Sequence, residues 1–270
     1  MRDSHIDAEY DPEYRVGSRA PFLEWYTRQS AWARDHLDHV LDVSFGPTPA
    51  ETADIFPSGV PGSPILVFIH GGYWRALSSK EFSFVASGLV PNGYTVVVTN
   101  YGLCPHLSIR EITTQSHAAI RWLTGSATDY NGDPGNIYVA GHSAGAQQAA
   151  MLASDCTAVK GAVAVSGIFD LRPLLRSWLQ PTLRLSEEMA AEQSPLLQIP
   201  VRGPPLLISA GGNESAAFIA QSLNYCEAWR KAGLTAQFLE QPGLNHYEAI
   251  YGFADPSSSL SLATARFINA

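Results

Sequence analysis

The chain has 270 residues, of which 46% are hydrophobic and 16% charged, and its formal net charge is −8 at pH 7. That apolar content suffices for one large core, and the acidic balance argues against a phosphate-backbone binder, which needs clustered Lys and Arg. The opening Met1-Arg2-Asp3-Ser4-His5-Ile6-Asp7 lacks the apolar core of a signal peptide, and no run approaches transmembrane length. A cytoplasmic location with neither membrane nor nucleic-acid partner is therefore expected. Cys104, Cys156 and Cys226 are scattered and odd in number, which favours reduced thiols over a disulfide framework. Asn213-Glu214-Ser215 spells a glycosylation sequon, which means little without a secretory signal.

Residues 1–20 are charged and broken by Pro and Gly, and are expected to lie over the surface or stay mobile. From 21 to 270 the pattern reads as a single domain. Pro21 to Leu41 is an amphipathic helix, with Phe22, Trp25, Tyr26, Ala33, Leu37 and Val40 near helical spacing. Asp42 to Gly62 is interrupted by four prolines, with strand-like pieces around Val43 and Ile55. Strands and helices then alternate. The strand Ile65–Ile69 precedes a helix from about Ser79 to Val90, and the strand Tyr94–Thr99 precedes a helix from about Ser108 to Leu123. Further strands are Ile137–Ala140, Gly161–Ser166, Leu206–Ala210 and Thr235–Glu240, with helices over Ser215–Ala232 and Ser259–Ile268. Uninterrupted apolar strands in βαβα alternation predict a mostly parallel sheet with helices on both faces. Residues 171–200 fit this rhythm poorly and read as a small lid-like insertion over the sheet's carboxyl edge.

Gly141-His142-Ser143-Ala144-Gly145 is a G-x-S-x-G between the strand Ile137–Ala140 and a run of helix formers beginning at Ala146. Strand, sharp turn and helix are the context of a nucleophile elbow, with Ser143 at its tip. A serine hydroxyl is a weak nucleophile until a base takes its proton, and the base needs an orienting acid. In this type of fold the order is Ser, acid, His. His246 follows the last strand in Gly243-Leu244-Asn245-His246-Tyr247 and is the candidate base. His5, His36, His39 and His106 precede the elbow, His117 falls within a helix, and the His142 side chain should diverge from that of Ser143. The acid should follow the strand Leu206–Ala210, where Glu214 is the only carboxylate of the loop; Asp170 and Asp255 are weaker candidates. His70-Gly71-Gly72-Tyr73-Trp74 follows the strand Ile65–Ile69. Its adjacent Gly71 and Gly72 allow backbone N–H groups to approach an acyl oxygen and, with the Ala144 N–H, to form an oxyanion hole.

Together with Tyr101-Gly102-Leu103-Cys104-Pro105, Ser166-Gly167-Ile168-Phe169-Asp170-Leu171 and Glu214-Ser215 ahead of Phe218, these motifs resemble the serine-type arylformamidase (kynurenine formamidase) family of α/β-hydrolases. The resemblance runs from about Phe22 to the C-terminus. It implies an α/β-hydrolase fold, Ser143 as nucleophile, His246 as base, the acid at Glu214, and oxyanion donors around Gly72, Tyr73 and Ala144. The family usually follows the elbow with another glycine and a histidine, where this chain has Ala146 and Gln147.

The resulting expectation is a hydrolase of aryl formamides or short-acyl aryl esters, working without cofactor or metal on a small-molecule substrate. Tyr73, Trp74 and Trp178 are expected to line an aromatic substrate pocket, with Leu174, Leu175 and Leu179 in the lid. A carboxylesterase with a larger acyl group and a non-catalytic hydrolase-fold binding protein are the competing readings. Association into a homodimer is left open.

Overall fold

The computed structural model describes residues 2–270. Eight strands form one sheet: β1 (Val40–Ser44), β2 (Thr52–Phe56), β3 (Ser63–Ile69), β4 (Thr95–Thr99), β5 (Gly132–His142), β6 (Val159–Val165), β7 (Leu206–Gly211) and β8 (Ala236–Gln241). Their order is β1-β2-β4-β3-β5-β6-β7-β8. β1 pairs antiparallel with β2 and β2 with β4, and every later pairing is parallel. The helices are α1 (Ser4–Glu9), α2 (Pro12–Val16), α3 (Ala20–His36), α4 (Ala86–Leu89), α5 (Ile109–Ser126), α6 (Ala144–Asp155), α7 (Gln180–Leu183), α8 (Glu187–Glu192), α9 (Ala216–Lys231) and α10 (Ser259–Ile268).

Successive strand side chains face opposite sides, so the apolar strands feed two cores at once. Ile65, Val67 and Ile69 of β3 join one core, where α5, α6 and α9 pack. Leu66 and Phe68 join the other, beneath Tyr26 of α3, Phe82, Phe84 and the end of α10. The sheet is thus covered on both faces, as a parallel sheet requires.

Three elements depart from the sequence expectation. The helix expected to reach Leu41 ends at His36, because Val40 pairs with Ile55 in the sheet and the chain turns extended at Leu37. The helix expected over Ser79–Val90 is a chain of short 3-10 turns around α4, started by a Ser78–Glu81 capping box and interrupted at Phe82. The first twenty residues, expected to be superficial or mobile, carry α1 and α2, capped by Asp3 and Asp11. They are tied to the body of the molecule: Tyr10 is buried, and the Glu9 carboxylate accepts the Ala217 N–H at the start of α9.

Candidate active site

Parallel strands that end together gather their loops at one edge, and the site is built there. β5 ends at His142 and α6 begins at Ala144, leaving Ser143 between them with φ 56° and ψ −116°. A non-glycine residue held there is strained, and such strain recurs where a side chain must be presented. Both flanking glycines are demanded by space. A Cβ on Gly141 would lie 2.1 Å from the Gly145 carbonyl oxygen, and one on Gly145 would lie 1.9 Å from that of Ile69. The Ser143 N–H donates to the Val165 carbonyl of β6 at 2.9 Å, which fixes the turn to the sheet.

His246 and Glu214 meet this serine. His246 Nε2 stands 3.0 Å from Ser143 Oγ, and His246 Nδ1 stands 2.7 Å from Glu214 Oε2. Glu214 Oε1 accepts two further hydrogen bonds, from the Gly211 N–H at 2.6 Å and the Ser166 hydroxyl at 2.5 Å. The carboxylate is fully out of solvent, and these donors replace the water it has lost. The other acid candidates lie elsewhere: Asp170 pairs with Arg172, and Asp255 accepts from Ser257. The loops bearing acid and base are knitted together, since the Asn213 N–H donates to Leu244 O and its side-chain amide to Gly243 O.

The turn after β3 faces the serine. A Cβ on Gly71 would lie 3.3 Å from Ser143 Cβ, so the turn's backbone abuts the nucleophile position. His70 is fully buried, and its Nδ1–H donates to Gly71 O at 2.7 Å. Burial pushes the His70 pKa down to about 4, so the ring is a neutral donor at pH 7. The carbonyl of a trans peptide points away from the N–H it shares a plane with. Holding Gly71 O toward the His70 ring therefore directs the Gly72 N–H the other way. Gly72 has φ 113° and Tyr73 φ 52°, and neither N–H takes part in a hydrogen bond among the described residues. The Ala144 N–H sits in the first turn of α6, where it has no intrahelical acceptor.

A cavity of about 120 Å³ opens over Ser143 and His246. Tyr26, Tyr73, Phe82, Trp178 and Tyr247 give it aromatic walls, and Asp11, Glu13, Arg19 and Arg75 stand among its lining residues. Tyr73 is pinned by its hydroxyl, which donates to Tyr10 O at 2.5 Å. Trp74 is not part of the wall, contrary to the sequence reading. It is fully buried, and its indole N–H donates to Gln147 Oε1 at 3.0 Å. Tyr73 and Trp74 both have left-handed backbone, at φ 52° and 55°, and their ring centroids lie 6.3 Å apart, with Tyr73 alone reaching the cavity. Of the insertion residues only Trp178 reaches the cavity, while Leu174 and Leu179 are buried in the core.

Several neighbours of the site went unnoticed in the sequence. His142, expected to diverge, lines the cavity and donates from Nε2 to the His246 carbonyl at 2.8 Å. Ser166 buttresses Glu214, and the Tyr101 hydroxyl donates to His70 O at 2.9 Å. In the sequence Tyr101 and Ser166 stand inside motifs with no local sign of these bonds. Asp11, Pro12 and Glu13 reach the cavity from the N-terminal segment, and their one local signal was an Asp-Pro helix start. Among the described residues no cluster of three His, Cys, Asp or Glu could hold a metal ion, and no helix is long and apolar enough to cross a membrane.

A buried serine bonded to an imidazole, itself bonded to a buried carboxylate, beside unused backbone donors, can carry out acyl transfer. Comparison with known proteins agrees with that chemistry. The BD-FAE family model matches residues 55–163. The kynurenine formamidase of Danio rerio is 31% identical over 250 residues, covering 87% of this chain and 84% of the relative. That of Salmo salar is 30% identical, covering 83% of this chain and 80% of the relative. Among solved structures, a candidate thioesterase from Silicibacter sp. TM1040 superposes with a TM-score of 0.86 at 27% identity, covering 98% of this chain and 99% of that one. The protein is a hydrolase, and with this likeness extending over most of its length the chain belongs to the kynurenine formamidase family of α/β-hydrolases.

Proposed function

We propose that the protein hydrolyses aryl formamides of the N-formylkynurenine type, or short-acyl aryl esters, through an acyl-enzyme on Ser143. The observation that carries this reading is the Ser143–His246–Glu214 relay at 3.0 and 2.7 Å. Ser143 Oγ attacks the acyl carbon while His246 Nε2 takes its proton. The Glu214 carboxylate holds His246 Nδ1–H and stabilises the imidazolium. The N–H groups of Gly72, Tyr73 and Ala144 receive the oxyanion, each such donor being worth about 10²–10³ in rate. On collapse the C–N or C–O bond breaks, and the aryl amine or phenol leaves with the proton from His246. Water, deprotonated by His246, then releases formate or the short carboxylate and regenerates the serine.

A burst experiment tests this. With an aryl formamide and an aryl acetate, the wild-type enzyme should release about one aryl leaving group per active site in the first turnover, and Ser143→Ala should lose on the order of 10⁶ in turnover. Ser143→Ala retaining activity within about tenfold of wild type, a ΔΔG‡ near 1.4 kcal/mol, would reject the mechanism. Relatives named as esterases support the second reading, a carboxylesterase.

A further inference from the structure

We infer that Arg75 determines leaving-group specificity: its guanidinium receives an anionic group, a carboxylate above all, carried on the aryl part of the substrate. The inference rests on the aryl amide or ester reading above, because it assigns the outer end of the same cavity. Arg75 directly follows the turn that abuts Ser143, and its own N–H donates to Gly72 O at 3.1 Å. Its backbone is therefore fixed relative to the oxyanion donors. Its side chain lines both the cavity over Ser143 and the adjoining groove that α1 and α2 build. The guanidinium carbon lies 4.8 Å from the centre of the Trp178 ring. A guanidinium held against an aromatic ring keeps its N–H donors available around its edge, where they match a carboxylate two at a time.

The other arginines that line the cavity and this groove, Arg2 and Arg19, are already occupied, as are Arg172 and Arg176 of the insertion. Arg2 pairs with Asp7, Arg19 with Glu13, Arg172 with Asp170 and Arg176 with Asp3. Among the described residues, Arg75 alone of the arginines that line this cavity and groove has no carboxylate within ion-pair distance. Acids do line the same mouth, yet they are engaged. Glu13 Oε1 accepts the Arg19 N–H at 3.0 Å, and Asp11 Oδ1 caps α2 through the Glu13 N–H at 3.0 Å. A cation left unpaired at the entrance of a chain with net charge −8 offsets the repulsion that an anionic substrate would otherwise meet. Tyr73 and Trp178, edge to face with centroids 5.8 Å apart, give an aromatic leaving group its wall on the way to Arg75.

The test compares phenyl acetate, 4-acetoxybenzoate and 4-(trimethylammonio)phenyl acetate with wild type, Arg75→Gln, Arg75→Lys and Arg75→Glu. The quantity read is the ratio of kcat/KM for each charged ester to that for phenyl acetate. Each ratio is internal to one preparation, so a partly folded variant does not distort it. In Arg75→Gln the carboxylate ratio should fall about tenfold or more, mainly through KM, as expected for losing a charge-assisted contact. Arg75→Lys should recover part of it, and Arg75→Glu should shift preference toward the trimethylammonium ester. Turnover with all four carboxylate ratios within about twofold of one another overturns the inference alone, since a tenfold change is the least that such a contact implies. If the wild type turns over none of these esters, the same ratio is read with formanilide and 4-formamidobenzoate, and no turnover of those either defeats the aryl-substrate reading, and this inference with it.

Discussion

The imidazole of His142, the residue before the elbow serine, donates its Nε2–H to the main-chain carbonyl of His246 at 2.8 Å. A carbonyl accepts only, so the proton must sit on Nε2. Burial, followed by the neighbouring His246, holds the His142 pKa well below the ordinary histidine range, which keeps that ring neutral. Serine and base are thus joined in two ways: through Ser143 Oγ and through this second bond one residue earlier. His142→Phe keeps a ring in the space and removes the donor. We predict that kcat falls about tenfold with little change in KM, because one buried hydrogen bond is worth roughly 1 kcal/mol and its loss leaves a carbonyl unpaired. A wild-type kcat in His142→Phe would show that the bond does not position the base.

Glu214 should respond more sharply. Its two oxygens meet only donors, from His246, Gly211 and Ser166. In Glu214→Gln an amide NH₂ must face one of those donors, and the charge that stabilises the imidazolium is gone. The expected loss in kcat is about 10³–10⁴ with the fold retained, whereas Ser166→Ala, which leaves two donors on the carboxylate, should cost about tenfold. A wild-type rate in Glu214→Gln, together with a large loss on changing Asp170 or Asp255, would place the acid on another loop.

What could be read beforehand follows from how local each signal was. The strands β3, β4 and β7 announce themselves because a sheet buried on both faces needs continuous apolar runs, and Ile65–Ile69 or Leu206–Ala210 can satisfy little else. The elbow was legible because its two glycines answer a clash within one turn and with one adjacent strand. The approach of α1 and α2 was not legible. Glu9 finds its partner at Ala217 and Tyr73 finds Tyr10, separations of 208 and 63 residues that no local periodicity encodes. Trp74 misled for a different reason. A motif gives residue types in order but not which of two adjacent rings reaches the cavity, and the Trp74 indole finds its buried acceptor at Gln147, far along the chain.

Away from the site, His117 gives the folded state a pH dependence of its own. Its Nε2 lies 3.1 Å from an Asp155 carboxylate oxygen. Hydrogen bonds to Asp155 first, then to Cys156, raise its pKa from the ordinary 6.5 to about 9, against the opposing effect of burial. A folded pKa above the unfolded one means that the stabilisation is complete below about pH 6.5 and is lost as pH rises through about 9. His117→Gln should therefore flatten the decline in Tm between those limits while leaving kcat/KM for an aryl ester at pH 7 near wild type, since this pair is remote from Ser143. An unchanged Tm slope across that window would remove His117 as its source.

The acyl end of the substrate provides the last prediction. The cavity of about 120 Å³ is shared between an aryl leaving group and whatever the acyl carbon carries. Tyr26 and Phe82 cannot swing aside cheaply: the Tyr26 hydroxyl is bonded to the main-chain Tyr247 O at 2.6 Å, and Phe82 is fully buried among Tyr26, Phe68 and Phe84. A close-packed wall resists added methylenes, and each one beyond the available space should cost about 1–3 kcal/mol. For esters of one phenol, kcat/KM should thus fall steeply from formyl and acetyl through butyryl to octanoyl, and aryl formamides should exceed alkyl formamides because the aromatic walls then have a ring to bury. The same series in Phe82→Leu should shift the optimum toward longer acyl groups if this wall sets the limit. A rise in kcat/KM with acyl length in the wild type would reject the small-acyl reading and favour the carboxylesterase.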